Sequence, residues 1–334
     1  MTSITSMRQT PPSSIGFTAS FVSLCLLSTY AAAAQLTDPT FDASVPAPAH
    51  STAHPKVLFD EAHFNVHTAT GSYKPFVTLI RNDGYTVAPG NIEFSESALK
   101  GQDILVIANA LGSPDPDMAQ AKNAAFTEKE CDVVADWVRK GGALLLITDH
   151  EPSGAAAEKL AHRFGVAMGK GTAFRKSALY KSDLGPPAWF LFSRDNGLLG
   201  DHSITQGRSV AERLNRVLDF TGQSLSVPEG AIAFLKLDDD AFEIADGTIL
   251  EKLPPGKVMQ VATPVSGRAQ GLALSFGKGR VVIVGEAAML TAAVDHYKNK
   301  NGEDQESRSG MAEPRFDDKQ LVLNIMHWLS KLLN

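Results

Sequence analysis

Residues 126–150 read FTEKECDVVADWVRKGGALLLITDH, a helix signal followed directly by a strand signal. Thr127 and Glu130 have the spacing of a capping box, which predicts a helix that begins near Glu128. The glycines at 141 and 142 predict its end. The uniformly apolar run ALLLIT, residues 143–148, is typical of a strand that is buried on both faces. This order predicts a parallel sheet that is covered by helices.

The same alternation extends along the chain in both directions. Further strands are predicted at KVLFD (56–60), YTV (85–87), DILVIAN (103–109) and RVVIVG (280–285), with helices at about 76–84 and 155–164 and at the carboxyl terminus. The sequence therefore predicts an α/β fold, a three-layer domain built on a flavodoxin-like parallel sheet. Short runs in the C-terminal half predict an antiparallel β extension: RVLDF (216–220), AIAFLKL (231–237), KVMQVAT (257–263) and GLALSF (271–276).

The N-terminal residues have the pattern of a targeting segment. Arg8 precedes an uncharged stretch over residues 15–30, and a run of four alanines ends at Ala34. This predicts a signal peptide over 1–34 and export to the periplasm or the medium, with a membrane anchor as the alternative. The stretch is short for a membrane span, and no second one of that length follows, so we expect no stable membrane span after cleavage.

The rest of the chain divides into two parts by composition. Residues 35–55 are rich in Pro, Ala, Ser and Thr and predict a disordered linker. Residues 56–334 then form a single domain, with a Gly- and Pro-punctuated insertion at about 169–207 that resembles a lid.

The overall composition limits the class of partner. The chain has 334 residues, of which 43% are hydrophobic and 20% charged, and its net charge is -6. These values are typical of a soluble globular protein and argue against nucleic acid as a partner. Cleavage at Ala34 leaves one cysteine, Cys131, whose place on the apolar stripe of its helix predicts a buried residue and not a nucleophile.

Polar residues follow the predicted strands, where open parallel sheets bind ligands. We expect ligand binding by residues that follow the first strands or lie in a later loop, namely Asp60, Glu61, His63, Asn65, Asn109 and His202. The candidates for catalysis are Asp149, His150 and Glu286, and the candidates for holding a divalent metal are His63, Asp149 and His150.

Three interpretations of these residues stay open. In the first, they cap helices and solvate strand ends. In the second, they form a metal or acid/base site, and in the third they line a metal-free pocket for a polar ligand. No HExxH or CxxC motif indicates a metal, and Walker A, GxGxxG and GxSxG motifs are absent. The residue types alone do not choose between the three.

Several stretches, taken in order, resemble one known fold family. They are VLFDEAHFN (57–65), DILVIANA (103–110), the stretch 126–150, AEKLAHRFGV (157–166), DHSITQG (201–207), GKGRVVIVGEAAML (277–290) and NIMHWL (324–329). Together they are similar to the class I glutamine amidotransferase-like superfamily. The likeness is greatest to its noncatalytic-looking branch, found in gliding-motility and intraflagellar-transport type proteins and in uncharacterised bacterial proteins.

This resemblance implies a fold and also the loss of an activity. The amidotransferases carry a nucleophilic cysteine after the strand that corresponds to ALLLIT, where this chain has Asp149, His150 and Glu151. Glutaminase activity is therefore not expected. We expect an exported protein that binds a small polar or glycan-like ligand, or a protein partner, at the strand carboxyl ends. The alternatives are a metal-assisted or acid/base hydrolase of a cell-envelope or extracellular substrate, and a purely structural interaction domain.

Overall fold

The computed structural model describes residues 36–298 and 302–334, which belong to one compact unit. The predicted signal peptide lies outside them. The strands are β1 (Leu36–Thr37), β2 (Lys56–Asp60), β3 (Thr86–Gly90), β4 (Ile104–Ala108), β5 (Ala143–Ile147), β6 (Thr172–Arg175), β7 (Phe190–Ser193), β8 (Arg216–Asp219), β9 (Ile232–Lys236), β10 (Ala241–Ile244), β11 (Thr263–Pro264), β12 (Ala269–Phe276), β13 (Gly279–Val284), β14 (Ala292–Lys298) and β15 (Asp304–Gly310). The α-helices are α1 (Lys74–Asn82), α2 (Glu96–Leu99), α3 (Glu128–Arg139), α4 (Ser153–His162), α5 (Ser203–Gln206), α6 (Ile249–Lys252), α7 (Pro255–Val261) and α8 (Asp318–Leu329).

The central sheet has seven strands in the order β3-β2-β4-β5-β13-β12-β9. The pairs from β3 to β13 are parallel, and β12 and β9 add two antiparallel pairs at one side. Small antiparallel sheets in the C-terminal half complete the fold. The predicted α/β fold with an antiparallel extension is thus confirmed.

Helices cover both faces of this sheet. Leu145 of β5 packs in a core that includes Phe76 of α1 and Ile325 of α8. Its neighbour Leu144 packs in a second core with Val134 of α3 and further residues of α4. Because successive side chains of a strand point to opposite faces, a strand buried on both sides must be apolar throughout, and β5 is.

The helix α3 begins as its sequence predicts. The Thr127 side chain accepts a hydrogen bond from the Glu130 backbone N–H, and the Glu130 carboxylate accepts one from the Thr127 N–H, so the capping box is complete. Cys131 is fully buried in this helix, and burial raises the pKa of its thiol to about 11. It is a core residue, as the sequence indicates.

One predicted strand is wrong. The stretch KVMQVAT lies mostly in α7, which begins at Pro255 and ends at Val261. Proline at the first helical position has a backbone angle that suits a helix, and its missing N–H costs nothing there. The single buried side chain of this helix, Val258, packs beside Phe174 and Ile244.

The segment predicted as a disordered linker packs against the domain instead. Its strand β1 pairs with β14, and the Ala49 N–H donates a hydrogen bond of 2.8 Å to the Asp83 carboxylate. His50 packs edge-on against Tyr85, with 4.7 Å between the ring centroids. The composition of the segment does not predict these contacts, because a segment poor in apolar residues can still be ordered by hydrogen bonds to its neighbours.

Residues 169–207, predicted as an insertion, contain β6, β7 and α5. β6 pairs with β10, and β7 pairs with β8. Among the described residues, no helix has both the length and the apolar character needed to cross a membrane.

Candidate functional site

The candidate site lies where the parallel strands end. Asp60 is the last residue of β2, and Asn109 follows β4. Thr148 and Asp149 follow β5, and Glu286 lies two residues after β13. Parallel pairing brings these carboxyl ends to one edge of the sheet, so the topology assembles residues that are far apart in the sequence.

Three of the predicted ligand-binding residues belong to a closed buried network. His63 Nδ1 lies 2.8 Å from Asp60 Oδ1, and His63 Nε2 lies 2.8 Å from Glu130 Oε1. The remaining carboxylate oxygens are also satisfied, since Asp60 Oδ2 accepts from Asn65 Nδ2 and Glu130 Oε2 accepts from Thr127. Burial alone would lower the pKa of His63, but its bonds to the two carboxylates raise it. We call these residues, Asp60, His63, Asn65 and Glu130, the paired network.

The paired network has no capacity left for a ligand. Both imidazole nitrogens are committed to carboxylates, and the His63 ring packs against Phe94 and Phe126, with centroid distances of 4.5 and 4.8 Å. Because each nitrogen faces a carboxylate oxygen, both donate and the ring is held as the imidazolium. The structure therefore places Asp60, His63 and Asn65 in a stabilising role.

A second group of acids lies at the same edge and is arranged differently. Asp219 and Glu286 are 0% and 1% exposed, whereas the Asp149 side chain is 17% exposed. Burial raises the pKa of all three, and the charges of neighbouring carboxylates raise that of Asp219 and Glu286 further. Ionising all three of these carboxyl groups together is therefore unfavourable.

The partners of these acids are mostly backbone groups. Glu286 accepts hydrogen bonds from the N–H groups of Ala288 and Met289, at 2.8 and 2.7 Å. Asp219 Oδ1 accepts from the Phe190 N–H at 3.0 Å, whereas Asp219 Oδ2 is buried without a partner. The unpaired oxygen is a costly feature in a folded protein.

Three buried amide side chains surround the acids. Gln223 Nε2 donates to Thr148 Oγ1 at 2.7 Å, but its Oε1 has no partner. Both amide atoms of Gln270 and the Oδ1 of Asn109 are also unpartnered. The side chains of Gln270 and Glu286 both pack against Gly222. A side-chain Cβ at that position would lie only 2.8 Å from Gln270 Nε2 and 2.8 Å from Glu286 Cβ.

We call this second group the carboxyl-edge cluster. It comprises Asn109, Asp149, Asp219, Gln223, Gln270 and Glu286. Unpartnered buried polar atoms are uncommon in native proteins, and five of the ten found among the described side chains belong to this cluster. Such a concentration is typical of a site that water or a ligand completes.

The rim of the cluster is formed by residues that follow β5. The His150 side chain is 44% exposed and its Nε2 lies 3.9 Å from Asp149 Oδ1. Glu151 accepts from the Thr172 hydroxyl at 2.9 Å and from the Gly247 N–H at 2.8 Å, which ties the rim to β6 and to the 245–248 loop. His150 is therefore the member of this turn that is free to meet an incoming molecule.

The loop after β2 forms another part of the rim. Its Val66 N–H donates to the Asn109 carbonyl at 3.0 Å, and Phe64 is 53% exposed. Phe64 and Asn109 have positive φ angles of 49° and 48°, which are uncommon for residues other than glycine. Strain of this kind often accompanies functional sites.

His67, which was not among the predicted site residues, lies near the same edge. Its Nδ1 is hydrogen-bonded to Ser72 Oγ at 2.6 Å, and its ring packs on Tyr73 with 4.8 Å between centroids. Burial lowers the pKa of His67 to about 4, so the imidazole is neutral at pH 7. The Tyr73 hydroxyl donates to the Ala287 carbonyl, next to Glu286.

Two predicted ligand-binding residues do not join the cluster. His202 caps α5 through a 3.1 Å bond from the Ile204 N–H, and burial lowers its pKa to about 4. It lies near Arg280 at the amino end of β13, and thus at the opposite end of that strand from Glu286. Glu61 accepts from the Ala69 N–H and stabilises its own loop.

The structure separates the three candidate metal ligands. His63 is committed to the paired network, and Asp149 and His150 lie at the rim of the carboxyl-edge cluster. Within residues 36–298 and 302–334, no three His, Cys, Asp or Glu side chains are placed to hold a metal ion together. A surface groove of about 730 Å³ beside Trp137 and Lys140 shares no residue with the cluster.

Sequence reasoning also missed Asp219, Gln223 and Gln270. Asp219 ends β8 and was hidden inside the apolar run RVLDF, and Gln270 lies in β12 beside a run of small and apolar residues. The one available signal was that each is a polar residue next to a strand pattern. Such a signal does not say which edge of the sheet the side chain reaches.

Several solved structures are similar to this chain. The N-terminal domain of mmIFT52 matches with a TM-score of 0.54 and 16% identity, over 82% of this chain and 97% of that one. A ThuA-like protein from Bacteroides uniformis matches with a TM-score of 0.39 and 10% identity, over 87% and 95% of the two chains. A cytoplasmic protein from Salmonella typhimurium matches with a TM-score of 0.40 and 12% identity, over 82% and 98%. No protein-family model and no curated protein sequence matches the chain.

The chain therefore has the class I glutamine amidotransferase-like fold. In this chain, the turn that follows β5 contains Asp149 and His150 and no cysteine.

Proposed function

We propose that this protein binds a small polar ligand, rich in hydroxyl groups and of glycan type, at the carboxyl-edge cluster. The observation that carries the proposal is the concentration of buried, unpartnered amide and carboxyl atoms at this edge. Each such atom costs about 1–3 kcal/mol when it lacks a partner, and a ligand that supplies hydrogen bonds recovers that free energy.

The burial of these atoms favours a small molecule over a protein surface. Gln223 and Gln270 are both 0% exposed, so a flat protein interface does not reach their amides. The exposed Phe64 beside the rim adds an apolar face of the kind that packs on a sugar ring. The expectation of export is consistent with an extracellular or envelope glycan as the ligand.

The experiment is a binding screen on the purified protein. Thermal unfolding is followed with neutral monosaccharides and oligosaccharides, amino sugars, sugar acids and polyols. We expect a concentration-dependent rise in melting temperature, because a ligand at 100 times its dissociation constant stabilises the folded state by about 2.7 kcal/mol. The variant Gln270→Met should abolish the rise. A rise that persists in this variant would place the ligand elsewhere.

A second candidate function is acid/base hydrolysis of such a ligand. It is favoured by the pairing of two buried acids, Asp219 and Glu286, whose pKa values burial and neighbouring carboxylates raise, with the more accessible Asp149 at the rim. Glycoside hydrolysis uses two carboxyl groups in different protonation states in this way. Product analysis after incubation with the oligosaccharides that bind tests this candidate, and Asp149→Asn should abolish turnover even at saturating ligand concentrations.

A further inference from the structure

The carboxyl-edge cluster offers many more acceptors than donors. Its unpartnered atoms are four oxygens, namely Asn109 Oδ1, Asp219 Oδ2, Gln223 Oε1 and Gln270 Oε1, and one nitrogen, Gln270 Nε2. The orientation of the Gln223 amide is fixed by its own bond, since Gln223 Nε2 donates to Thr148 Oγ1. A molecule that completes this set must therefore bring several N–H or O–H donors.

The cluster is also short of positive charge. Asp219 and Glu286 form no ion pair with a Lys, Arg or His of the described part of the chain. Arg175 lies near Asp219, but its guanidinium donates to the Trp189 carbonyl at 2.7 Å and to Ser182 Oγ at 3.3 Å. The exposed His150 lies at the rim, with its Nε2 3.9 Å from Asp149 Oδ1.

A protonated amine has the properties that this cluster lacks. It carries one positive charge and three N–H donors, and it needs no fixed coordination geometry. A metal ion would need several ligands arranged around one point, and the described side chains are not grouped in that way. An anionic ligand would meet uncompensated carboxylates.

We propose, on the basis of the ligand-binding function proposed above, that the natural ligand carries a primary ammonium group that binds against Asp219 and Asp149. The unpartnered amide oxygens of Gln223 and Gln270 accept its remaining N–H or O–H donors. The ligand class is thus an amino sugar, or an oligosaccharide that contains unacetylated amino sugars.

The test compares ligands that differ only in charge. Isothermal titration calorimetry at neutral pH uses glucosamine, glucose and N-acetylglucosamine, together with glucosamine and N-acetylglucosamine oligomers of equal length. We expect the glucosamine series to bind at least about tenfold more tightly than the neutral series, since close charge pairs in interfaces contribute at least that much. The diamine 1,4-diaminobutane serves as an amine without a sugar ring.

The key variant is Asp219→Asn, which keeps the size of the side chain and the acceptor for the Phe190 N–H. It should remove most of the preference for glucosamine over glucose. The matched control is Asp195→Asn, at an exposed acid in the 194–197 turn, which should change neither. Thermal unfolding of each variant verifies that it is folded.

The outcomes separate this inference from the proposed function. Equal affinity for charged and neutral sugars, or an unchanged preference in Asp219→Asn, would overturn the ammonium inference and leave the glycan-binding function standing. Binding of the diamine without binding of any sugar would support the ammonium inference and overturn the proposal that the ligand is of glycan type. Failure of every sugar and of the diamine would overturn both.

Discussion

The paired network and the carboxyl-edge cluster are both buried and polar, and both lie at the carboxyl edge of one sheet, yet their bonding is opposite. In the paired network, both nitrogens of His63 and all four oxygens of Asp60 and Glu130 have partners. In the carboxyl-edge cluster, Asp219 and Gln270 have buried polar atoms without a hydrogen-bond partner. A saturated network stabilises the fold, whereas an unsaturated one costs stability and persists where something else completes it.

The largest effect is expected from breaking the paired network. His63→Ala leaves the carboxylates of Asp60 and Glu130 buried without their cation, which should lower the free energy of unfolding by about 3–5 kcal/mol. Urea denaturation measures this value. The control His162→Ala removes an exposed histidine of α4 and should change stability by no more than about 0.5 kcal/mol. If both variants lost equally little unfolding free energy, the paired network would not stabilise the fold.

The opposite sign is expected in the carboxyl-edge cluster. Gln270→Met removes an amide with no partners and keeps the length of the side chain, so it should raise the free energy of unfolding by about 1–2 kcal/mol while ligand binding is lost. Gln320→Met is the control, because the Gln320 amide donates to Asn324 and its removal brings no such gain. A clear loss of stability in Gln270→Met would contradict the distinction between the two regions.

The pH dependence of Asp219→Asn sharpens the same comparison. Burial raises the pKa of Asp219 in the folded state, so the favourable effect of its neutral form is present below the ordinary pKa and is lost as the pH rises through the folded pKa. Asparagine has no such loss. The stability gained by the variant should therefore grow from pH 4 to pH 8, by about 1–2 kcal/mol. Urea midpoints across this range test it, and a gain that is independent of pH would argue that Asp219 is ionised throughout.

The smallest effect on stability is expected at the rim. His150→Ala should change the free energy of unfolding by no more than about 0.5 kcal/mol, because this side chain is 44% exposed and makes no short hydrogen bond. Ligand affinity, or turnover if the protein is a hydrolase, should fall nonetheless. A substantial loss of stability would instead indicate that His150 holds the turn before α4.

The candidate site could be predicted only in part from the sequence. Asn109, Asp149 and Glu286 follow apolar runs directly, so strand order alone brought them to one edge. Asp60 and His63 have the same signal but a different role, because Glu130 from α3 reaches across and binds His63. In the same way, His327 of α8 is buried and its Nε2 lies 2.7 Å from Asp83 Oδ2, a partner that follows α1. A helical pattern does not report a partner that another element supplies.

The sequence by itself determined the parallel strands β2, β4, β5 and β13, the capped helix α3 and the absence of a cysteine after β5, because these follow from periodicity and from residues adjacent in the chain. Only the tertiary structure decided which polar groups are paired. Asp219 and Gln270 come from strands that are far apart in the chain, β8 and β12, and whether a buried group finds a partner depends on the short distances between such elements. That is why the two clusters, composed of similar residues, have opposite character.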